Sequence, residues 1–331
     1  MADIIMIALW AVACGQRSIQ AIYDWANAHT ELLAERDLKC PSMETIRRVL
    51  ALIDGDTFDA LFGSWALQAT RSSTSGVIAV AIDGKEVRGA KTNGCDRVHL
   101  LGAATHTGAV IGQVSVDAKT NEIPCLEGLL DQIGDIDGVV VTLDALHTQV
   151  ASAALIADRG AWWVFQLKGN QPTVLDQVKH LPWEEASVHR QPDLHHGLLT
   201  HRHHRILRFP DGEICFPGAR QAIKLRRTRI RIDGTKTWEE VFIITNHPTA
   251  TAQQLARWIR GHWRIESIHW LRDNHWSEDA SLIRTRNLPR IMATIRNTII
   301  SFLHLRGITD IARNLRINAA KPQATANLIG L

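Results

Sequence analysis

The sequence predicts an α/β protein in which helices cover a mixed β-sheet and a helical region precedes that sheet. Three observations favour this class. Residues 1–70 carry apolar side chains at helical spacing. Residues 76–181 follow the order β-β-β-α-β-α-β-α, which combines a hairpin with parallel βαβ units. Residues of about 183–250 are rich in strand patterns again, and two helical segments follow them.

Composition restricts the class of protein. A chain of 331 residues has room for one large domain or two ordinary ones, and 45% hydrophobic with 21% charged residues is typical of a globular protein. The net charge of +3 predicts no particular partner. The five cysteines are odd in number and scattered, which argues against a disulfide framework and indicates a reducing, cytoplasmic location.

The N-terminal region is predicted to be helical throughout. Its apolar start contains Asp3 and no basic segment, so we expect neither a signal peptide nor a membrane span, but a buried helix whose beginning is cut short. Ser42 is the expected N-cap of a helix in METIRRVLALID. The polar stretch 69–76 resembles a linker. We therefore predict a helical domain over 1–70 and a second domain over 76–331.

The second domain is predicted to contain a sheet, a β-rich insertion and two late helices. Strands are expected over 76–84, 97–106, 109–117, 138–146 and 161–169, with a tight turn at Thr107-Gly108. Helices are expected over 123–134, 148–160 and 171–181, then from Ala252 to about Asp273 and from Leu288 to about Arg306.

Two acids follow predicted strands. Asp83 is expected to end the first strand and Asp144 the fourth, and in such a sheet these strands can lie side by side. The carboxylates would then meet at one edge, where hard divalent cations could bind them and assist phosphodiester chemistry. Two structural alternatives stay open. Asp83-Gly84 is a common turn, and Asp144 could cap the helix that begins near Thr148.

Such a site ordinarily requires a third acid. The candidate is Glu266, in the segment IRGHWRIESIHWLRDNHWSEDAS. Asp273, Glu278 and Asp279 are alternatives, and spacing does not choose among the four. A helical glutamate considered alone is usually a solvated charge.

Four motifs now point to a known family. They are AIDGKEVRGA (81–90), VTLDALHTQ (141–149), FQLKGNQP (165–172) and HWRIESIHW (262–270), the last followed by RD, ED and S up to residue 281. In these segments, and in their order and spacing, the chain resembles the insertion-sequence DDE transposases of the H-repeat-associated kind. The segment CPSMETIRRVL resembles the helical part that precedes the catalytic domain in that family.

The resemblance implies a fold and an activity. The fold is a ribonuclease H-like mixed sheet with flanking helices and a β-rich insertion at about 183–250. The activity is metal-dependent DNA cleavage at insertion-sequence ends and strand transfer into target DNA. This resemblance implies that Asp83, Asp144 and Glu266 are catalytic and bind Mg²⁺ as two ions, with Mn²⁺ able to substitute. Double-stranded DNA is the partner, and bringing two ends together implies a homodimer on DNA.

Further residues, His262 among them, could support that site. His147 stands at the start of the next helix, and Lys168 and Asn170 follow the fifth strand. A packed histidine and a surface lysine are the plainer interpretations. The sequence also departs from the family, since Ile259, His262 and Asp273 occupy the positions of its Tyr, Arg and Lys. HHGLLTHR (195–202) replaces a His-Gly-Arg-acid motif.

Basic residues cluster in three regions and could contact phosphates. On the predicted strand KLRRTRIR, alternation puts Lys224, Arg226 and Thr228 on one face and Arg227, Arg229 and Arg231 on the other. The segment RTRNLPRIMATIR adds Arg284, Arg286, Arg290 and Arg296. A solvated face is the alternative, and for the METIRRVL helix a plain bundle helix. The DNA-binding candidates are Arg47, Arg48, Arg202, Arg205, Lys224, Arg226, Arg227, Arg229, Arg284 and Arg286.

Histidine and tryptophan are expected to have structural roles. The five histidines between His195 and His204 lack the defined Cys/His pairs of a closed zinc site. The tryptophans at 162, 163, 258, 263 and 270 are expected in the core rather than stacked on bases. Two alternative functions remain open: a catalytically defective remnant that only binds DNA, and a nuclease that cuts without strand transfer.

Overall fold

The computed structural model describes residues 1–90, 98–117, 121–195 and 198–330. Its helices are α1 (Ala2–Ala13), α2 (Ile19–Ala28), α3 (Thr30–Ala34), α4 (Met43–Leu52), α5 (Gly55–Ser73), α6 (Cys125–Ile133), α7 (Val150–Ala157), α8 (Pro172–Lys179), α9 (Ala252–Gly261), α10 (Trp263–Trp276), α11 (Leu288–Leu305), α12 (Ile311–Ala320) and α13 (Pro322–Ile329). Its strands are β1 (Ala79–Val87), β2 (Val98–Thr105), β3 (Val110–Val116), β4 (Val140–Leu143), β5 (Trp162–Leu167), β6 (Ser187–His195), β7 (Leu198–Arg208), β8 (Gln221–Ile230) and β9 (Lys236–Thr245).

The described strands form a mixed sheet in the order β3-β2-β1-β4-β5-β9-β8-β7-β6. β1, β4 and β5 run parallel, because crossovers through α6 and α7 connect them. β2–β3 and the ladder from β5 through β9 to β6 are antiparallel. The predicted fold class, a mixed sheet with helices and a β-rich insertion, is confirmed.

The chain divides into two compact units. The first unit comprises Met1–Gly76, Asp83–Gly134 and Trp263–Leu331. It contains the N-terminal helices, the β2–β3 hairpin and the long helix α11, whose residues are buried almost throughout. Ser42 caps α4 as predicted, because its hydroxyl accepts a hydrogen bond from the Thr45 amide.

The second unit comprises Val77–Ile82 and Asp135–His262. Its apolar core lies between the sheet and α9, with Ile223, Leu225 and Ile243 from the strands packed against Leu255 and Trp258 from the helix. A capping box at Thr251 and Gln254 starts α9. The predicted helix from Ala252 to about Asp273 is divided at His262 into α9 and α10.

Two further features of the described residues concern the cysteines and the apolarity of the helices. The described cysteines Cys14, Cys40, Cys125 and Cys215 are free thiols, and Cys95 lies outside the described residues. No helix in the described part of the chain combines the length and apolarity needed to cross a bilayer.

Candidate active site

Strands β1 and β4 are adjacent and parallel, as predicted for the first and fourth strands. Their register pairs Ala81 with Thr142 and Ile82 with Leu143. Asp83 and Asp144 are the residues that follow the last pair along the two strands.

The expected end of the first strand is wrong. β1 continues through Asp83 to Val87, so Asp83-Gly84 is neither a strand end nor a turn. Glycine at position 84 of the strand leaves room for its neighbours, because a Cβ there would collide with the Glu122 carboxylate and the His99 ring. These two groups are themselves paired at 2.9 Å. The Asp-Gly pattern did not predict this continuation of the strand, because the residues that surround Gly84 are distant from it in the sequence.

Asp144 begins a short 3₁₀ turn, Ala145–His147, immediately after β4. Its Oδ1 accepts a hydrogen bond from the Leu146 amide at 2.9 Å. Helix α7 instead has Gln149 as its N-cap, so Asp144 caps the turn and not the helix near Thr148. One carboxylate oxygen is engaged in this cap, which fixes the side chain's direction.

The loop after β5 supports the turn that follows Asp144. The Asn170 side-chain amide donates to the Ala145 carbonyl at 2.6 Å, and the Gln171 amide donates to the Thr148 carbonyl at 2.8 Å. The Thr148 hydroxyl donates to the Gln166 carbonyl at 2.7 Å. Asn170 therefore acts on the Asp144 turn through the backbone. Lys168 is exposed in the same loop.

Two histidines of the second unit lie near Asp144. His147 is buried within the turn. His262 has its Nδ1 3.1 Å from the Thr142 hydroxyl. Burial lowers the pKa of His262, while the Asp144 charge and the Thr142 hydrogen bond act in the opposite direction. His262 therefore lies near the end of β4, and its support of the site stays a prediction.

In the first unit, helix α10 lies against the second half of β1. His269 Nδ1 is 3.6 Å from Asp83 Oδ2, and Lys85 Nζ is 2.7 Å from Asp273 Oδ2. Residues 83 and 85 share a face of the strand, and residues 269 and 273 share a face of the helix. Glu266 stands one turn before His269 on α10.

The alternative third acids all have cationic partners. Glu278 is fully buried between Arg272 and Arg296, with contacts of 2.6 Å and 2.8 Å. Asp273 pairs with Lys85. Asp279 lies 3.7 Å from Lys85 and 3.8 Å from Arg88.

Glu266 differs from these three acids. Its side chain is exposed, and no ion pair to it is found among the described residues. Burial of part of the residue raises the pKa of its carboxyl group. The carboxylate is therefore the one in this segment whose charge the described part of the protein leaves uncompensated.

His269 and Lys85 were not singled out by the sequence analysis. Burial, reinforced by the charges of Arg272 and Lys85, lowers the pKa of His269 to about 3, so its ring is neutral at neutral pH. Both residues stand within the motifs already quoted. His269 is three residues after Glu266 and Lys85 two residues after Asp83, spacings that put each on the same face as the neighbouring acid.

Metal binding can be judged from the donor types. Asp83, Asp144 and Glu266 offer carboxylate oxygens, the ligands that hard divalent cations take. Among the described residues, no group of three or more His, Cys, Asp or Glu side chains is close enough to hold an ion. The donor chemistry fits a hard cation, and the grouping of these donors stays a prediction.

The histidine-rich segment is also distributed over different environments. His204 is buried, whereas His203 is exposed on the opposite face of β7. His196 and Gly197, within the quoted HHGLLTHR segment, lie outside the described residues. His203 and His204 are therefore separated by the strand, and the absence of a zinc site stays a prediction.

The tryptophan expectation is partly wrong. Trp163 and Trp258 are buried and Trp162 is half-buried, as expected. Trp263 and Trp270 are 51% and 57% exposed. They lie on the outer face of α10, whose inner face is filled by Ile265, Ile268 and other residues.

The predicted DNA-binding cations lie in three regions of the chain, and each is either paired with a carboxylate or exposed. Arg47 pairs with Glu44, and Arg48 is exposed beside it. The insertion cations pair as Arg202–Asp193, Lys224–Glu240, Arg227–Glu239 and Arg229–Glu239, while Arg205 and Arg226 are exposed. Arg284 and Arg286 are exposed near the start of α11.

The other two arginines of the RTRNLPRIMATIR segment, Arg290 and Arg296, have structural roles, contrary to expectation. Arg296 is 1% exposed and bonded to Glu278. Arg290 bonds to Asp56 and Asp59. Both lie on buried faces of α11, where only a paired cation is stable, so neither is available to phosphate.

Comparisons with known proteins agree with this fold and these motifs. A family model described as a transposase DDE domain matches residues 75–302, and its associated domain matches residues 1–66. The chain is 29% identical to the putative transposase YncI of Escherichia coli O157:H7, over 92% of this chain and 82% of that protein. It is also 29% identical to the H repeat-associated putative transposase YhhI of Escherichia coli K12, over 92% of this chain and 84% of that protein.

A third relative is also named as a transposase. The H repeat-associated putative transposase YbfD of Escherichia coli K12 is 32% identical over 65% of this chain and 89% of that protein. The mixed sheet with flanking helices is consistent with a ribonuclease H-like transposase. This chain belongs to the DDE transposase family.

Proposed function

We propose that this protein cuts DNA at the ends of an insertion sequence and joins the freed 3′ ends to target DNA. Asp83, Asp144 and Glu266 are its catalytic acids. The observation that carries the proposal is the difference in charge compensation between Glu266 and the other acids of its segment. Asp273, Glu278 and Asp279 have cationic partners, whereas Glu266 has none among the described residues. Family membership supports the class of reaction.

The three carboxylates would hold Mg²⁺, as two ions, with Mn²⁺ able to substitute. The bound ions would supply Lewis-acid stabilisation of the attacking and leaving oxygens of an in-line displacement at phosphorus. Asp144 would be oriented by its cap bond to the Leu146 amide. Asn170 would hold that turn in place through Ala145.

The remaining supporting residues would act by position and charge. His262, linked to Thr142, would limit the movement of the chain beside Asp144. Lys168, which is exposed on the loop after β5, would contact a phosphate of the DNA. His147 would fill the turn after Asp144. We assign the helical region 1–70, with Arg47 and Arg48, to DNA contact and residues 76–331 to the catalytic domain, acting as a homodimer on DNA.

The test is cleavage of a labelled duplex that carries the ends flanking this gene. Wild type with Mg²⁺ or Mn²⁺ is expected to cut and, with target DNA, to yield joined products, while EDTA abolishes both. Asp144→Asn and Glu266→Gln are expected to bind the ends without cutting. Normal cutting by either variant would refute the assignment of that acid.

A matched control separates the third acid from its alternatives. Asp279→Asn makes the same carboxylate-to-amide change in the same segment, in a residue that faces Lys85 and Arg88. It is expected to retain cutting. Loss of cutting in folded Asp279→Asn together with activity in Glu266→Gln would move the role to Asp279. Cut products without joined products would indicate a nuclease.

A further inference from the structure

The four strands β6 to β9 form a ladder with two unlike faces. Side chains alternate between the faces, and the register aligns Arg190, His203 and Arg226 across three neighbouring strands. The face that bears Ile223 and Leu225 packs against α9 and is therefore covered. On the opposite face Trp183 packs near Phe242, where the two rings are 6.1 Å apart, and Ala222 and Ile244 are also buried.

The opposite face carries five cations, and we call it the open basic face. Its members are Arg190, Arg205, Lys224, Arg226 and Lys236. All are exposed except Lys224, which is half-buried. Among the described residues only Lys224 has a carboxylate partner, Glu240, at 3.6 Å.

His203 lies on this face beside several of its cations. His203 is largely exposed, but its slight desolvation lowers its pKa, and the charges of Arg190, His201, Arg226 and Arg205 lower it further. Several cations therefore act on one ring at short range. Arg226 is also held in place, because its guanidinium lies 4.8 Å from the centre of the Trp238 ring.

The covered face carries cations of a different state. Arg202 pairs with Asp193 at 3.2 Å, and Arg227 pairs with Glu239 at 2.7 Å. Arg229 lies 3.5 Å from the same Glu239. These three cations share two carboxylates, Asp193 and Glu239, and Arg208 on the same face has no carboxylate partner among the described residues. Most of the uncompensated charge of β6 to β9 therefore lies on the open basic face.

We propose that the open basic face binds the phosphate backbone of double-stranded DNA, and that the cations of the covered face do not. Charge complementarity selects this occupant. Alternate residues on a strand are separated by roughly 6.6 Å, and neighbouring strands by about 4.8 Å, so the face presents positive charges at regular spacings, as a lattice. A polyanion with regularly repeated charges matches such a lattice. The inference rests on the proposed function, which makes duplex DNA the substrate, and adds the surface that holds it.

The experiment compares two triple variants that remove the same charge. Arg190→Gln, Arg205→Gln and Arg226→Gln together neutralise three positions of the open basic face. Arg202→Gln, Arg227→Gln and Arg229→Gln together neutralise three positions of the covered face. Binding of a labelled duplex with an insertion-sequence end is measured by fluorescence anisotropy in EDTA, so that no cutting occurs, over a series of salt concentrations.

Counterion release fixes the expected size of the effect. Three lost phosphate contacts reduce the slope of log K against log salt by about 2.7. Between about 50 and about 200 mM salt, wild type then loses roughly 40-fold more affinity than the open-face variant. The covered-face variant is expected to keep the wild-type slope. An open-face variant with the wild-type slope, or equal effects of both variants, would overturn the inference.

Folding and the underlying function are controlled separately. Single variants Arg226→Gln and Arg229→Gln, on opposite faces of the same strand, replace the triple variants if either unfolds, with an expected slope change of about 0.9 for the first and none for the second. Arg226→Lys keeps the charge and is expected to keep the slope. If wild type binds the duplex with a steep salt dependence that the open-face variants do not change, this inference alone is refuted. If wild type does not bind the duplex, the proposed function is refuted as well.

Discussion

The pair between Lys85 and Asp273 is predicted to fix α10 on strand β1, and Lys85→Met tests this. Lys85 is 8% exposed and Asp273 29% exposed, and their charged atoms are 2.7 Å apart. Asp273 Oδ1 is buried and has no hydrogen-bond partner among the described residues. The carboxylate therefore depends on Lys85 for its compensation, and the methionine removes that charge while keeping most of the side-chain volume.

The magnitude follows from the burial of the two partners. Removing one partner of a fully buried pair costs about 3–5 kcal/mol, and an exposed pair contributes about 0–1 kcal/mol. With one side buried and the other partly wet, we expect Lys85→Met to lower the free energy of unfolding by about 2–3 kcal/mol. Lys85→Met with Asp273→Leu removes both charges and should recover most of this loss.

The assay is a double-mutant cycle in urea at neutral pH. The expected coupling energy is about 2 kcal/mol, and a value under about 0.5 kcal/mol would refute the idea that the pair holds the helix. A pH series gives an independent signature. Burial raises the pKa of Asp273 while Lys85 lowers it, so removal of Lys85 raises the folded-state pKa further. Because that raised pKa makes ionisation unfavourable in the folded state, the destabilisation of Lys85→Met should grow as the pH rises.

Three further outcomes follow from single contacts. Glu278→Gln leaves Arg272 and Arg296 buried without an anion, so the free energy of unfolding should fall by about 3–5 kcal/mol in urea; a loss under about 1 kcal/mol would contradict this. Burial lowers the pKa of His204 to about 4, so wild type should lose stability as the pH falls from about 6.5 to about 4, because protons bind the unfolded state. His204→Gln should flatten this dependence, and an unchanged profile would count against it. Asn170→Ala removes the bond to the 145 carbonyl and should cost about 1 kcal/mol by thermal melting; no change in melting temperature would show that the loop is held otherwise.

Features set by neighbouring residues were predictable from the sequence. The Ser42 cap and the turn at Thr107-Gly108 each depend on three or four consecutive residues. The adjacency of β1 and β4 followed from element order alone. Alternation likewise predicted which cations of β8 share a face, since the contacts of Arg226 and Arg227 lie on opposite sides.

Features set by distant partners were not predictable in the same way. Asp83 lies inside β1, where Gly84 avoids Glu122 and His99. Arg290 looked like a DNA-binding cation because its partner Asp59 stands on α5, more than two hundred positions away in sequence. Trp270 was expected in the core because helical periodicity does not say which stripe of α10 meets the rest of the protein.

The proposed choice of the third acid depends on partners that are distant in the sequence. Composition and spacing leave Glu266, Asp273, Glu278 and Asp279 equivalent, because each is an acid within one short segment. Folding makes them unequal by supplying cations to three of them, chiefly through Lys85 on a strand far earlier in the chain. A carboxylate that is already neutralised by an arginine or lysine gains little from a metal ion, since binding would first have to break the existing pair. An acid without such a partner loses nothing, so under the proposed function the ion pairs that stabilise α10 leave Glu266 available to a cation from solution.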